Sequence, residues 1–280
     1  MRSLFSRVVL NRYDVRYYEC VHCGFLRADE PSWLDEAYSS AISRLDTGAV
    51  ARNLACAADL TSMLRAGNDA GPFLDFAGGH GLLTRLMRDA GFNFYWHDAY
   101  ATNDYSTGFA WEASQRPAAA VTAVEVLEHV VEPTRLLEAI LDLSGARTVL
   151  FTTELRPNGH GPDWWYLTPE TGQHVGFHTE DSLRLLAAAQ QLRYWRMGRW
   201  HLLADRRWIR RAPSGRVRQV AAVLGYFARS RSSSTLMWED HLRLRRQGRS
   251  SDGDLSRDGQ ASDANHEPNS GPAVARSSQD

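Results

Sequence analysis

The sequence predicts an α/β fold: a doubly wound, mostly parallel sheet with an N-terminal helical cap and a C-terminal helical extension. Three observations carry this prediction. Residues 72–98, PFLDFAGGHGLLTRLMRDAGFNFYWHD, open with a short apolar run ending at Asp75 and turn tightly through Ala77, Gly78, Gly79 and Gly81. A helix-like stretch from Leu82 to Asp89 follows, Gly91 stops it, and a second apolar run leads to Asp98. Further on, residues 118–124 and 146–155 read as buried strands, and Pro133 opens an amphipathic helical segment between them. Strands that alternate with helices join into a parallel sheet, whose ligands bind at the carboxyl ends of the strands. Asp75, Asp98 and Glu125 all fall at such ends.

Composition bounds the rest. A chain of 280 residues with 43% hydrophobic content buries a full core for one main domain and leaves room for additions. With 32 Lys and Arg against 33 Asp and Glu the net charge is -1, so the chain as a whole has no broad attraction for nucleic acid or an anionic membrane. The N-terminal apolar stretch is too short and interrupted for a signal peptide, and no apolar run approaches the roughly 20 residues of a membrane span. Three cysteines argue against a disulfide framework. Together these features predict a cytoplasmic protein.

Along the chain, four segments are expected: a cap over 1–66, a ligand-binding domain over 67–204, a basic helical extension over 205–248 and a disordered tail over 249–280. In the cap, Cys20 and Cys23 have CxxC spacing with Gly24 directly after, like one knuckle of a zinc ribbon. Zinc bound by Cys20 and Cys23 would need two more ligands, and no second knuckle is visible. A redox role wants the CxxC pair to open a helix, which Gly24 and Phe25 do not begin. Residues 31–64 carry helical periodicity broken at Asp46, Thr47 and Gly48, with Tyr38, Asp46, Arg52 and Asn53 available to face a cleft.

The glycine turn has a chemistry as well as a shape. It lets backbone N–H groups approach a ligand where a Cβ would obstruct, and an acid at the end of the next strand can accept hydrogen bonds from ribose hydroxyls. After residue 124 come Glu125, Glu128 and His129, spaced so that one helical turn would bring two carboxylates and an imidazole together. Downstream lie His174 and His178, with Thr179 placed to cap the helix that follows. Between them, Trp164, Trp165 and Tyr166 offer aromatic faces of the kind that bind sugar rings, aromatic acceptors or bases. Residues 193–213 have the period of two closing strands, and 216–248 read as basic helices; the arginines interleaved with Trp208, Tyr226, Phe227 and Trp238 belong to a packed extension with a solvated basic face or to a surface for RNA or membrane. The composition of 249–280 does not support a core.

Taken together, DFAGGHG, the acid Asp98, VTAVEVLEHV and VLFTTEL resemble the class I S-adenosylmethionine-dependent methyltransferases, in the branch with an E-x-x-E-H sequence after the fourth strand. The resemblance covers roughly residues 73–194. It implies a Rossmann-like sheet, with Asp75, Ala77, Gly78, Gly79 and Gly81 cradling the methionine part of the cofactor and Asp98 holding its ribose. Ala77 departs from the family's usual glycine. A looser similarity, through the CxxC start, WLDEAY and DTG, points to methyltransferases of bacterial surface-sugar biosynthesis.

Three roles stay open for the acid and histidine cluster. Glu125 can line the cofactor pocket while Glu128 and His129 hold the turn. A divalent metal can bind Glu125, Glu128, His129 and His174 or His178, as in the metal-dependent O-methyltransferases of quinone synthesis and small-RNA ends that the cluster resembles. Or His174 can act as a general base, with Glu125 and His129 beside it. The expected substrate is a small-molecule hydroxyl, sugar-linked. The rivals are an RNA end and an inert binding module that keeps the fold.

Overall fold

The computed structural model describes residues 1–38, 47–66, 70–157, 159–205, 216–231, 235–244 and 246. Residues 1–237 form one compact unit, and those from 238 onward form a second. The tail expected over 249–280, and Asp46 and Trp208 among the residues singled out, lie outside the described residues.

The first unit opens with strands. β1 (Arg2–Val9) and β2 (Tyr13–Glu19) form an antiparallel hairpin, and β3 (Leu26–Ala28) pairs with β2. The alternation of exposed Ser6, Val8, Asp14 and Arg16 with buried Val9, Val15 and Tyr17 is the two-residue period of a half-buried sheet. These strands lie within the segment expected as a cap over 1–66, so its first part is sheet, and its helices follow: α1 (Leu34–Ala37) and α2 (Ala49–Ala66).

The central sheet then forms as the alternation predicts. β4 (Phe73–Phe76), α3 (Leu82–Asp89), β5 (Phe94–His97), β6 (Ala120–Val124), α4 (Pro133–Ser144) and β7 (Thr148–Thr152) succeed one another, with three parallel pairings, β4 with β5, β4 with β6, and β6 with β7. β8 (Gly176–Phe177) leaves this sheet and joins β3 antiparallel, Leu26 opposite Phe177. α5 (Glu180–Ala189) starts at Thr179, whose side chain accepts the Ser182 N–H as expected of its N-cap. β9 (Arg193–Met197) and β10 (Trp200–Ala204) close the sheet antiparallel, giving the order β5-β4-β6-β7-β10-β9, and α6 (Arg216–Ser230) follows.

Three clusters hold these layers. Phe73, Phe92, Phe94, Leu60, Leu64 and Trp200 fill one face of the large sheet beneath α2 and α3. Leu137, Ile140, Leu183 and Leu186 of α4 and α5 cover the other face. Tyr17, Leu26, Trp33, Trp164 and Phe177 form a separate core under the N-terminal sheet. Burying each such side chain contributes about 1.5–3 kcal/mol. The large sheet thereby presents the carboxyl ends of β4, β5, β6 and β7 along one edge.

Candidate active site

The glycine turn sits at the end of β4. Asp75 is buried there, accepting the Thr84 hydroxyl at 3.0 Å and the Thr122 hydroxyl at 2.9 Å, and burial pushes its carboxyl up to about 6. Asp75 is 1% exposed, unlike the half-buried Asp98, and its two oxygens brace α3 and β6 against the turn. Ala77 takes φ +53, so the usual glycine is replaced at a left-handed position. A Cβ on Gly78 would come within 2.8 Å of Asp75 Oδ2 and 2.9 Å of Trp96 Cδ1, so glycine is required for packing. At Gly79 a Cβ would meet nothing within 4 Å, and the backbone faces open space.

Asp98 follows β5 and binds this turn directly. Its Oδ2 accepts the Gly79 N–H at 2.9 Å, and its Oδ1 accepts the Tyr100 and Ala101 N–H groups, each at 2.8 Å. The carboxylate is thus oriented by three backbone donors before any ligand arrives. The His80 ring lies 2.6 Å from Asp104, tying the turn to the loop beyond Asp98 a second time.

Beyond β6 the expected helical turn is a different motif. Glu125 adopts φ +54, and a short 3-10 turn, Leu127–His129, comes after it. The two carboxylates converge nonetheless, because Tyr166 from the loop after β7 places its hydroxyl 2.7 Å from Glu128 Oε1 and 3.1 Å from Glu125 Oε2. Thr152 donates to Glu125 Oε1 at 2.7 Å. Burial pushes both carboxyls upward, and for Glu125 the charge of Glu128 adds to it. A phenol has one proton for two carboxylates, so the group is satisfied when one carboxyl is itself protonated. Glu128 Oε2, fully buried, has no hydrogen-bond partner.

His174 Nδ1 lies 2.7 Å from the Tyr166 carbonyl oxygen. A carbonyl only accepts, so Nδ1 carries the hydrogen and Nε2 keeps its lone pair. The same reasoning applies to His129, whose Nδ1 is 3.0 Å from the Gln173 carbonyl and 2.7 Å from the Tyr38 hydroxyl. The two rings stand 5.1 Å apart, nearly perpendicular. Burial lowers both imidazoles, His174 to about 4.

Glu128, His129 and His174 each offer a ligand atom, all within 4.8 Å of one another. Among the described residues this is the only such group of three or more His, Cys, Asp or Glu. The cluster therefore takes His174, and His178, the other expected metal ligand, lies apart from it. β8 intervenes between them and turns the chain, leaving His178 buried with Nδ1 3.3 Å from the Ser182 hydroxyl and its ring 4.8 Å from Phe25. Glu125 adjoins the group through Tyr166 without entering it. Cys20 and Cys23 are both free and half-buried, and among the described residues no group of three or more possible ligands includes them.

A run of ring contacts crosses the site. Tyr100 stacks on Tyr38 at 6.2 Å, Tyr38 meets His129 at 6.0 Å, and His174 meets Tyr166 at 4.6 Å, with Trp165 a further 5.2 Å away. Its two ends are open, Tyr100 being 88% and Trp165 70% exposed. Trp164, expected beside them, is buried against Phe177 instead. The sequence signalled Tyr166 as an aromatic face and Tyr38 as a residue available to face a cleft. Their hydroxyl contacts to His129 and the two acids depend on tertiary placement and had no local signature.

A sequence profile described as a methyltransferase domain matches residues 50–196, more than half of the chain. The chain belongs to this methyltransferase family. Comparison with curated proteins gave no match. Among solved structures, the methyltransferase is similar to magnesium protoporphyrin IX methyltransferase from Synechocystis PCC 6803 with bound SAH, at 16% identity and a TM-score of 0.41 over 61% of this chain and 90% of that one. It is also similar to the mitomycin 7-O-methyltransferase MmcR, at 14% identity and a TM-score of 0.42, and to human N-acetylserotonin methyltransferase in complex with SAM, at 17% and 0.38. This chain covers 59% and 65% of those two chains, under two thirds of each. No described helix of the methyltransferase is long and apolar enough to cross a membrane.

The site fits S-adenosylmethionine, the methyl donor of the class. The open backbone at Gly79 would provide a cradle and the oriented carboxylate of Asp98 an acceptor for ribose hydroxyls, and the turn through Ala77, Gly78 and Gly81 would hold the methionine part. The cofactor would supply an electrophilic methyl on a sulfonium.

Proposed function

We propose that this methyltransferase transfers the methyl of S-adenosylmethionine to a hydroxyl oxygen of a small ring-bearing molecule, a sugar or sugar conjugate, and that a divalent cation at Glu128, His129 and His174 assists. The observation that carries the reading is the gathering of one Glu128 carboxylate oxygen and one ring nitrogen each of His129 and His174 within 4.8 Å of one another, at an acid whose buried Oε2 has no hydrogen-bond partner. A buried carboxylate oxygen without a partner costs about 1–3 kcal/mol or more, which a ligand would recover. A carboxylate with two imidazoles is a donor set for a divalent cation, which when bound lowers the pKa of a nearby hydroxyl.

The chain's own residues prepare the transfer. Tyr166 holds the two acids with its hydroxyl and His174 with its carbonyl, so one residue sets the spacing of the cluster. His174 alone is a weak base for a hydroxyl, because burial holds its imidazole near 4. That favours a ligand role over the solitary base. The exposed faces of Trp165 and Tyr100 support a ring-shaped acceptor, since aromatic faces pack on the apolar faces of sugars.

The test measures cofactor binding by calorimetry and, separately, mass gain of one CH2 across a panel of sugars, sugar nucleotides, phenols and RNA ends. Methylation of sugar hydroxyls, lost on chelation with cofactor affinity intact, is the expected result. Activity confined to RNA or phenols would overturn the acceptor, and full turnover in chelator would overturn the cation.

A further inference from the structure

One cavity of the molecule takes no residue from the methyl-transfer cluster. It measures about 500 Å³, within the roughly 300–1,000 Å³ of small-molecule sites, and lies where the segment leaving β7 meets the start of α5 and strand β9. Two hydrogen bonds fix these walls: the Arg156 N–H donates to the His178 carbonyl at 2.7 Å, and the Thr179 hydroxyl donates to the Cys23 carbonyl. Three arginines, Arg156, Arg184 and Arg196, line the cavity with three acids, Glu154, Glu180 and Asp181.

Some of these charges hold one another or a neighbour. Arg184 pairs with Glu180 and, at 2.9 Å, with Asp181, and Arg156 pairs with Glu19 at 2.7 Å. Other groups are left open. Glu154 is exposed and has neither a hydrogen bond nor an ion pair among the described residues, and the Arg196 side chain has only the Gly198 carbonyl, at 3.4 Å. Arg156 is 8% exposed, and its Nε has no hydrogen-bond partner among the described residues.

We propose that this cavity binds a neutral saccharide unit, with Glu154 accepting from its hydroxyls and Arg156 and Arg196 donating to them. The charges of three arginines and three acids cancel, so the cavity has no net attraction for an ion of either sign. Directional hydrogen bonding is what remains. A carboxylate has several acceptor positions and a guanidinium several donors, and the ion pairs in the wall occupy only part of that capacity. A sugar hydroxyl donates and accepts at once, so a ring bearing several of them uses both kinds of group, whereas a phosphate uses only the arginines and a zwitterion only one of each. Leu155 and Pro157 give the C–H face of such a ring an apolar surface to lie on. The proposal does not rest on the methyl acceptor, whose aromatic faces belong to other residues.

The full chain without cofactor is titrated with glucose, mannose, galactose, rhamnose and maltose by saturation-transfer NMR, and with inorganic phosphate and glycine as charged probes. At least one saccharide should bind, with an affinity that stays within about twofold when salt is raised about tenfold, since a neutral ligand is not screened. Glu154→Gln and Arg196→Gln change exposed side chains, so both should match the parent in circular dichroism, and each should weaken that binding by on the order of tenfold, the scale for losing a hydrogen bond to a charged group. Trp165→Ala, which strips an aromatic face of the acceptor site, should leave the binding within about twofold, as a change at a separate site does. Absence of binding by every saccharide, tighter binding of phosphate or glycine, or unchanged binding in both Glu154→Gln and Arg196→Gln would each overturn the proposal. A loss in Trp165→Ala alone would move the sugar to the methyl-transfer site, refuting this cavity and leaving the acceptor reading intact. Failure of sugar methylation, conversely, has no bearing on these titrations.

Discussion

The backbone carbonyl of Tyr166 lies 2.7 Å from His174 Nδ1, while the hydroxyl of the same residue lies 2.7 Å from Glu128. One residue therefore fixes the tautomer of the histidine and the position of the acid. Replacing Tyr166 with Phe keeps the carbonyl and removes the hydroxyl, leaving the buried Glu125 and Glu128 without their shared donor. Stability should fall by about 1–3 kcal/mol, the scale for a buried polar group that loses its partner. A denaturant midpoint equal to that of the parent would show that the hydroxyl carries no such load.

His174→Ala should lower turnover by about 10²–10⁴-fold, the range for losing a positioned acid–base or ligand group, while cofactor affinity measured by calorimetry stays the same. His178→Ala, which removes a ring outside the cluster, should leave the cation requirement unchanged. Equal losses of cation dependence in the two variants would undo the choice of His174.

At Ala77, glycine should be the better residue. A left-handed conformation costs a residue bearing a Cβ about 1–2 kcal/mol, and the looser unfolded chain of a glycine gives back about 0.4–1. Ala77→Gly should therefore stabilise the protein by up to about 1 kcal/mol, read from thermal or urea unfolding. A loss of stability would mean that the methyl makes a favourable contact that outweighs the strain.

Acid should weaken the fold through its buried histidines. Burial holds His178 at about 3 and His201 at about 4, below the ordinary 6.5, so the unfolded chain binds more protons than the folded one between those values. Stability is therefore lost as pH falls from about 6.5 toward 4, by on the order of 1.4 kcal/mol per unit for each histidine. His174, also held near 4, adds to this loss, while Asp75, raised to about 6, and the raised Glu125 and Glu128 work the other way and offset part of it. His201 sits between the Tyr194 hydroxyl and the Thr153 carbonyl, and His201→Asn should make the pH dependence shallower. An unchanged slope in the variant would remove His201 from this account.

The sequence made some elements legible because their causes are local. Gly78, Gly79 and Gly81 mark a turn, Pro133 and Thr179 mark helix starts, and apolar period marks the strands, so the sheet and the positions of Asp98, Glu125 and Glu128 could be read in order. What failed to show was set by distant pairing. The choice of His174 over His178 depends on Gly176–Phe177 pairing with Leu26, about 150 residues away in sequence, and the burial of Asp75 depends on a threonine from another strand. The strands of residues 2–19 were not read, because their clear two-residue alternation is confined to 13–17, too short a run to separate from the cap expected there.

The two-residue strand β8 has a practical consequence. It belongs by hydrogen bonding to the sheet begun at residue 2, yet it starts two residues after His174 and ends two residues before Thr179, the cap of α5. A fragment trimmed to start at the glycine-turn strand would retain every acid and histidine of the cluster and would lose the scaffold that aligns one of them. Efforts to graft or shorten this enzyme should carry its first 28 residues along, as a jig for chemistry that occurs elsewhere in the chain.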